Sequence, residues 1–323
     1  MLAAGLLAAA LVVAAVVVLR SGGSRSTPGP GPIDPEPIDY VALGDSFSAG
    51  PLVPQARSDP AGCLRSTNNY PAYLAGYLDV RSYRDVTCSR AQTRDLRRPQ
   101  RLVLGAAEST PPQLDALSAG TDLVTIGIGG NDFSLFGSII GTCGGLKDRD
   151  PGGAPCRRSF VRRVDGRPVD TRARDARRIE DRVAHALRLV GRRAPSAEVY
   201  VVGYPRLLPE RGRCAAVPFA AGDYTWGRRI ERLLNESLRG AAERGGATYV
   251  DLRPPSRGHD ACAGDEAWVN GNQTLLGFAA AFHPFQSGMR GMAGAVYAAI
   301  TGDEAPSEAD ARPPPGSIVR NRR

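Results

Sequence analysis

Short runs of β-branched residues recur along the chain, and segments with helical periodicity lie between them. The runs read DYVALG near residue 40, YRDVTC near 85, DLVTIGIGG near 125, EVYVVGYP near 200 and ATYVDLR near 250. From Thr171 to Arg193, apolar residues recur at intervals of three and four, at Ile179, Val183, Leu187 and Val190. The runs predict strands and the periodic segment predicts an amphipathic helix. Their alternation predicts an α/β domain with a mostly parallel sheet covered on both faces.

The two ends of the chain differ in pattern from this middle. Residues 2–19 form an unbroken apolar run, long enough for a signal peptide or a short membrane anchor, which we assign to residues 1–20. Residues 21–37 are a Gly/Pro/Ser-rich linker, and residues 302–323 have the composition of a disordered tail. We therefore expect the folded domain at residues 38–301.

Charge and composition narrow the range of partners. The formal net charge is +8 and comes almost wholly from arginine, since Lys147 is the only lysine. The arginines are interleaved with Asp and Glu, aromatic residues make up 6%, and no zinc-finger or RNA-binding motif occurs. We therefore expect a solvated basic surface that tolerates anionic surfaces, and no nucleic-acid partner.

Cysteine usage bears on the cellular compartment. The six cysteines fall along the sequence as three neighbouring pairs, Cys63 with Cys88, Cys143 with Cys156 and Cys214 with Cys262. Six cysteines allow fifteen pairings, and the sequence does not choose among them, nor does it exclude six buried free thiols. An even count behind an export-type segment favours disulfides and an oxidising compartment. We expect the domain outside the cytoplasm, either secreted or tethered to the membrane.

The charges beside the apolar run favour the opposite orientation. No basic residue precedes the run, whereas Arg20 and Arg25 follow it, and positive charge tends to stay on the cytoplasmic side. To reconcile this with the cysteines, we expect a basic segment upstream of residue 1.

Three polar stretches lie where a parallel sheet gathers its functional residues, at or beyond the carboxyl ends of strands. They are Gly44-Asp45-Ser46, Gly129-Gly130-Asn131-Asp132 and His283-Pro284. Taken singly, Ser46 could be a helix N-cap, Asn131 a turn residue and His283 the start of a helix. Taken together, they supply a nucleophile, an oxyanion donor and a base, which are the groups that ester hydrolysis needs.

The order of these stretches and their residues resemble the sequence motifs of the SGNH hydrolases, also called GDSL esterases and lipases. The resemblance runs from VALGDSFSAG through IGIGGNDF to FHPFQSGMRGMA, which is nearly the whole folded unit. The cysteine pattern and the stretch RGHDACAGDEAWVNG are similar to the secreted, three-disulfide bacterial members. The resemblance implies a flavodoxin-like three-layer α/β/α sandwich, pairing of the neighbouring cysteines, and activity without metal or organic cofactor.

The resemblance also implies roles for single residues. Ser46 would be the nucleophile and His283 the general base and later the acid. The Asn131 amide and the Ser46 N–H would form the oxyanion hole, while Asp45 and Asp132 would support the turns without taking part in catalysis.

Two positions depart from the family pattern. Arg90 stands where similar members have a glycine that contributes a main-chain oxyanion donor. Arginine also has that N–H, so we keep Arg90 in the predicted oxyanion hole, provided that the backbone does not require positive φ. A long cation there would also suit anionic substrates.

Ala280 stands where the family has the aspartate that supports the histidine. We expect a Ser-His dyad in which the carbonyl of Ala280 or of a neighbour accepts from the imidazole Nδ1–H. Without a carboxylate we expect the His283 pKa near the unperturbed value of about 6.5. His259 is the rival base, and His185 lies on the periodic helix, where we expect a surface position.

We therefore expect an exported serine ester hydrolase, an esterase or lipase, that acts on an ester or lipid substrate as a monomer. Two alternatives stay open. The same fold could act as a glycan O-acetyl esterase or a phospholipase, or it could be an inactive module that binds glycan or lipid. Acyl-chain preference is not readable from the sequence.

Overall fold

The protein is described here as a computed structural model of residues 38–102 and 109–307. The predicted signal or anchor at 1–20, the linker at 21–37 and the tail from residue 308 onward lie outside the described residues. Within the described ranges, no helix has the length and apolar character needed to cross a bilayer.

The described residues form nine strands and seven α-helices. The strands are β1 (Asp39–Gly44), β2 (Ser82–Asp85), β3 (Gln100–Arg101), β4 (Ser109–Thr110), β5 (Leu123–Gly127), β6 (Val161–Val164), β7 (Arg167–Asp170), β8 (Glu198–Val202) and β9 (Thr248–Val250). The helices are α1 (Ser46–Ala49), α2 (Tyr70–Tyr77), α3 (Leu135–Leu146), α4 (Pro155–Ser159), α5 (Thr171–Arg193), α6 (Asp223–Gly245) and α7 (Gln286–Thr301).

The central sheet is parallel throughout and has the order β2-β1-β5-β8-β9. Its strands are those expected from the five apolar runs. All five residues of β5 are buried, as a strand covered on both faces requires. The strand order reverses between β1 and β5, where Gly44 pairs with Gly127. A crevice opens at the carboxyl ends of the strands at such a reversal, and ligands bind there.

Two cores cover the two faces of the sheet. Val41 and Leu43 of β1 pack into the core that includes α3, α5 and α6, whereas Tyr40 and Ala42 pack into the core that includes α2 and α7. This alternation follows from the two-residue period of a strand. The predicted three-layer α/β/α arrangement is confirmed.

Helix α5 has the bounds that periodicity predicts. The side chain of Asp170 caps it by accepting from the N–H groups of Arg172 and Ala173. Its apolar residues Ile179, Val183, Leu187 and Val190 are all buried. The Asp170 cap therefore starts the helix, and the apolar stripe fixes the face that packs into the core.

Three disulfides join the six cysteines as neighbouring pairs: Cys63–Cys88, Cys143–Cys156 and Cys214–Cys262. These are the expected pairs, and they span 25, 13 and 48 residues of sequence. Cys143–Cys156 joins α3 to α4, whereas Cys88, Cys214 and Cys262 lie outside the helices and strands.

Candidate active site

Ser46 lies directly after β1 and is the first residue of α1. The N-cap of this short helix is Asp45, whose carboxylate accepts from the N–H of Phe47 at 2.9 Å. Gly50 ends the helix with a left-handed backbone, φ +72°. Because Asp45 supplies the cap, the hydroxyl of Ser46 is not used for capping and stays available for chemistry.

The structure brings His283 to this serine. Its Nε2 lies 2.8 Å from the Ser46 Oγ, and its Nδ1 lies 2.7 Å from the main-chain oxygen of Ala281. A carbonyl oxygen only accepts, so Nδ1 carries the proton and Nε2 accepts from the serine hydroxyl. The Ala280 carbonyl is engaged elsewhere, accepting from the His283 N–H and from the Asn270 amide.

The surroundings of His283 favour its neutral form. Burial lowers the pKa of the imidazole, and the hydrogen bond to Ala281 raises it by a smaller amount. The ring of Phe47 packs 5.4 Å away. The expectation of a pKa near 6.5 is therefore corrected downward, because desolvation disfavours the imidazolium and no anion opposes it.

Two hydrogen-bond donors border the same cavity. The Ser46 N–H, at the first turn of α1, has no acceptor among the described residues. The Asn131 amide donates one N–H to Ala91 O at 3.1 Å, which leaves its second N–H free. Asn131 lines a cavity with Ser46 and His283.

Arg90 has the backbone that favours glycine, with φ +68°. Its side chain is exposed and does not line the cavity that contains Ser46. Its main-chain N–H has no acceptor among the described residues, and the next residue, Ala91, receives the Asn131 hydrogen bond. An oxyanion role for this N–H stays a prediction, and the positive φ is a strain that arginine must bear.

Asp45 also connects the serine turn to the turn after β5. Its second oxygen accepts from the Tyr204 hydroxyl at 2.6 Å, and that hydroxyl accepts from the Gly130 N–H at 2.8 Å. Burial raises the pKa of Asp45 to about 7, although the hydrogen bonds from Tyr204 and from the Phe47 N–H lower it. A Cβ on Gly130 would lie 2.4 Å from the ring of Phe136, so only glycine fits there.

Asp132 anchors the other side of Asn131. Its fully buried carboxylate accepts from the N–H and hydroxyl of Thr93 and from Arg182, at 3.0, 2.6 and 2.7 Å. The guanidinium of Arg182 lies 3.8 Å from the centre of the Phe133 ring. Asp132 thus holds the turn, and its carboxylate is not directed at Ser46. The sequence analysis expected this kind of supporting role.

The cavity behind Ser46 is apolar. The cavity volume is about 80 Å³. Six wall residues come from three places: Phe136 and Ile139 of α3, Leu207 and Leu208 after β8, and Ile230 and Leu234 of α6. Such a wall suits a hydrocarbon chain better than a sugar.

Glu231 is a polar residue of this wall that sequence reasoning missed. Its carboxylate accepts from the N–H groups of Leu207 and Leu208 at 3.1 and 3.0 Å, and burial raises its pKa to about 7. It therefore braces the loop after β8. Tyr204 was missed as well, although its place just beyond β8, in VVGYP, is the signal that could have found it.

The other two histidines lie elsewhere. The Nδ1 of His259 is 2.6 Å from Glu266 O and its ring stacks on Trp268, so it does not compete for Ser46. His185 is exposed on α5, as expected. Among residues 38–102 and 109–307, no group of His, Cys, Asp or Glu side chains has the arrangement of a metal site.

The chain is similar to known proteins over most of its length. Residues 42–290 match the family described as "GDSL-like Lipase/Acylhydrolase family". Lipase 2 of Streptomyces coelicolor is 42% identical over 264 residues, which are 79% of this chain and 83% of that protein.

Two crystal structures share the fold. The extracellular lipase of Streptomyces rimosus superposes with a TM-score of 0.64 and 28% identity, over 81% of this chain and 99% of that one. Phospholipase A1 of Streptomyces albidoflavus superposes with a TM-score of 0.63 and 27% identity, over 83% and 100%. Both therefore share nearly the whole of their length with this chain.

Proposed function

We propose, from the premise that this chain belongs to the GDSL-like lipase/acylhydrolase family and is a carboxylic ester hydrolase, that Ser46 is its nucleophile and His283 its general base. The observation that carries the proposal is the 2.8 Å contact between Ser46 Oγ and His283 Nε2, with Nδ1 held by a carbonyl. The nucleophile is then within hydrogen-bond distance of its base, and the base is oriented by a third group, as activation of a serine requires.

In the proposed reaction, Ser46 Oγ attacks the ester carbonyl and its proton passes to His283 Nε2. The Ser46 N–H and the free N–H of Asn131 stabilise the oxyanion, with the Arg90 N–H as a third donor. His283 then protonates the leaving alcohol, and the acyl group remains on Ser46. Water, deprotonated by His283, attacks this acyl-enzyme. The acid is released as Ser46 Oγ leaves and takes the proton back from His283, so the cycle needs no metal or cofactor.

The Ala281 carbonyl takes the place of a triad carboxylate in this scheme. It fixes the tautomer and the ring orientation of His283. It stabilises the imidazolium less than an anion would. His283 therefore stays neutral to lower pH, and its imidazolium receives less electrostatic stabilisation after the proton transfer.

The apolar cavity supports an ester of a hydrophobic acid as the substrate class. Its wall residues adjoin Ser46 and would surround the acyl chain of the acyl-enzyme. A phospholipid is a second candidate, favoured by the structural likeness to a phospholipase A1. A sugar would find few polar partners on this wall, so a glycan O-acetyl esterase fits less well.

Three disulfides support a site of action outside the cytoplasm. The similar lipase of Streptomyces rimosus is an extracellular protein. In this proposal the apolar run at residues 2–19 directs export or tethers the domain, and the enzyme acts as a monomer.

The test is hydrolysis of chromogenic esters from acetyl to palmitoyl, run beside a phospholipid. Ser46→Ala should lower kcat/KM at least about a thousandfold on every substrate, while thermal unfolding stays unchanged. The matched control is Ser48→Ala, two residues along α1, whose hydroxyl lies 3.5 Å from Gly127 O and not on His283.

Residual hydrolysis by Ser46→Ala above about a thousandth of wild type would refute the nucleophile assignment. Absence of turnover by the wild type on the whole panel would favour the inactive binding module.

A further inference from the structure

One irregular hairpin carries both His283 and an exposed apolar tip. Its two sides are joined by β-bridges between Val269 and Pro284 and between Leu275 and Ala279. The Asn270 N–H donates to His283 O at 2.9 Å between these bridges. The base of the hairpin therefore lies in the active site, and its tip is the turn at residues 275–279.

The tip exposes large apolar side chains to solvent. Leu276 is 79% exposed, Phe278 64% and Leu275 40%. Among the described residues, five large hydrophobic side chains are exposed, and these are three of them; the others are Ile140 and Val164. Soluble proteins scatter exposed apolar residues singly, so three within four residues indicate a contact surface.

The tip is held outward by its own hydrogen bonds. The buried side chain of Asn270 donates to the main-chain oxygens of Gln273, Ala279 and Ala280 at 2.6, 3.2 and 3.1 Å. Gly277 supplies the left-handed turn residue, φ +77°. Because the hairpin is braced from within, a defined turn presents Leu276 and most of Phe278 to solvent. Phe278 also borders a surface groove with Pro54 and Phe285.

We propose that this tip inserts into an anionic lipid surface and so docks the active site on lipid. The proposal extends the ester-hydrolase function above, but the docking itself does not require catalysis. Two large side chains and a glycine turn suit the apolar layer below lipid headgroups. The chain as a whole carries a formal net charge of +8, which attracts it to an anionic surface, whereas residues 269–284 contain no Lys, Arg, Asp or Glu.

A second copy of the chain fits the tip less well. A large side chain contributes about 150–250 Å² when it is buried completely, so the tip offers a few hundred Å² at most. A stable protein interface needs about 800 Å² from each partner. A lipid surface has no such threshold, because each inserted side chain adds its own transfer free energy.

The experiment follows a fluorophore at the tip. All six cysteines are in disulfides, so Leu276→Cys can be labelled selectively with an environment-sensitive dye. The protein is the full chain with Ser46→Ala, which prevents lipid hydrolysis. Vesicles of phosphatidylcholine and phosphatidylglycerol should shift the emission to the blue and allow quenching by a spin label in the acyl chains.

Val164→Cys, labelled in the same way, is the matched control. Val164 is 41% exposed on β6, outside the hairpin, and should show neither change. This local readout separates tip insertion from any vesicle binding by residues 2–19. Equal responses at Leu276 and Val164, no response at Leu276, or equal responses to vesicles of phosphatidylcholine alone would each overturn the proposal.

An activity measurement tests the consequence. Leu276→Ser/Phe278→Ser should keep its kcat/KM on a soluble acetyl ester and lose at least about tenfold on a long-chain ester presented in anionic vesicles. Equal losses on both esters would mean that the change disturbs His283, which contradicts docking. A wild-type dimer that this variant abolishes in light scattering would also contradict it. Failure of Ser46 as nucleophile would appear only in the hydrolysis assays and would leave the vesicle result standing.

Discussion

His283 is half-buried beside Phe47 and has a carbonyl, not a carboxylate, on its Nδ1. Burial lowers its pKa below the ordinary value of 6.5, so the neutral base persists to lower pH than in a free histidine. We expect kcat/KM on a neutral soluble ester to rise with pH through a single step whose midpoint lies below 6.5, and then to level off.

The control for this profile is Asp45→Asn. Its amide oxygen can still accept the Phe47 N–H, but the group that has a pKa of about 7 is removed. A step that belongs to His283 stays in this variant. A midpoint above 6.5 that persists in Asp45→Asn would indicate an anion near the imidazole and would contradict the carbonyl-supported dyad.

Arg90 adopts φ +68°, where a Cβ is unfavourable by roughly 1–2 kcal/mol. Arg90→Gly should therefore raise the free energy of unfolding by about 1 kcal/mol, measured by denaturant titration. Its kcat/KM on neutral esters should stay unchanged because the main-chain N–H persists.

Arg90→Ala is the matched control, since it removes the guanidinium but keeps the Cβ. It should bring no gain in stability. Equal stabilisation by both changes would show that the charge, not the backbone, is the source of strain. Because the side chain is exposed and outside the cavity wall, we expect the same ratio of anionic to neutral ester hydrolysis in all three proteins.

At the level of elements, the site is assembled from three segments that the sheet and its loops hold in place. α1 follows β1, the Asn131 turn follows β5, and the hairpin at residues 269–284 brings in His283. The neighbouring strands β1 and β5 set the distance between the first two segments, and Tyr204 after β8 links both through Asp45 and Gly130. The wall of the cavity comes from α3 and α6, which belong to one packed face.

The side chains that α3 and α6 contribute to the cavity wall limit the space for the acyl chain. We therefore expect them to set the preferred acyl-chain length. Ile139 on α3 is 6% exposed and lines the cavity. We expect Ile139→Phe to lower the ratio of kcat/KM for octanoyl over acetyl esters at least about tenfold, because the larger side chain occupies space that the longer chain needs.

Acetyl-ester turnover by the same variant is the internal control, since overpacking can cost about 1–3 kcal/mol of stability. An unchanged ratio with retained acetyl activity would mean that the acyl chain lies outside this cavity.

At the scale of the whole molecule, the disulfides close loops of very different length. Cys214–Cys262 closes 48 residues and Cys143–Cys156 closes 13. Chain entropy predicts that replacing the first pair by serine lowers the free energy of unfolding by about 4 kcal/mol and the second by about 3 kcal/mol.

Denaturant unfolding of the two double variants without reductant measures both losses. The order is the informative result, because strain and residual structure affect the absolute values. A larger loss from the shorter loop would contradict the entropic account. Turnover of a soluble ester should persist in the folded fraction of both variants, since none of the four cysteines lines the Ser46 cavity.

The sequence by itself determined the elements and the residues of chemical interest. The five runs predict strands because they are rich in β-branched and apolar residues, as buried strands are, and the stripe from Thr171 to Arg193 predicts a helix because burial of one face imposes a period of 3.6 residues. The GDS, GGND and HP stretches likewise mark the residues that meet in one cavity. Tight turns accept only certain residues at certain positions. These short patterns can therefore be recognised in the sequence without knowledge of the fold.

Only the tertiary structure decided how those residues are supported. That Ala281, not Ala280, holds His283, that Tyr204 bonds Asp45 and that Glu231 braces the cavity wall are matters of side-chain reach within a packed interior. Tyr204 and Asp45 are 159 residues apart in sequence, and no local pattern specifies such a contact. The lowered pKa of His283 has the same origin, because desolvation depends on everything packed around the ring.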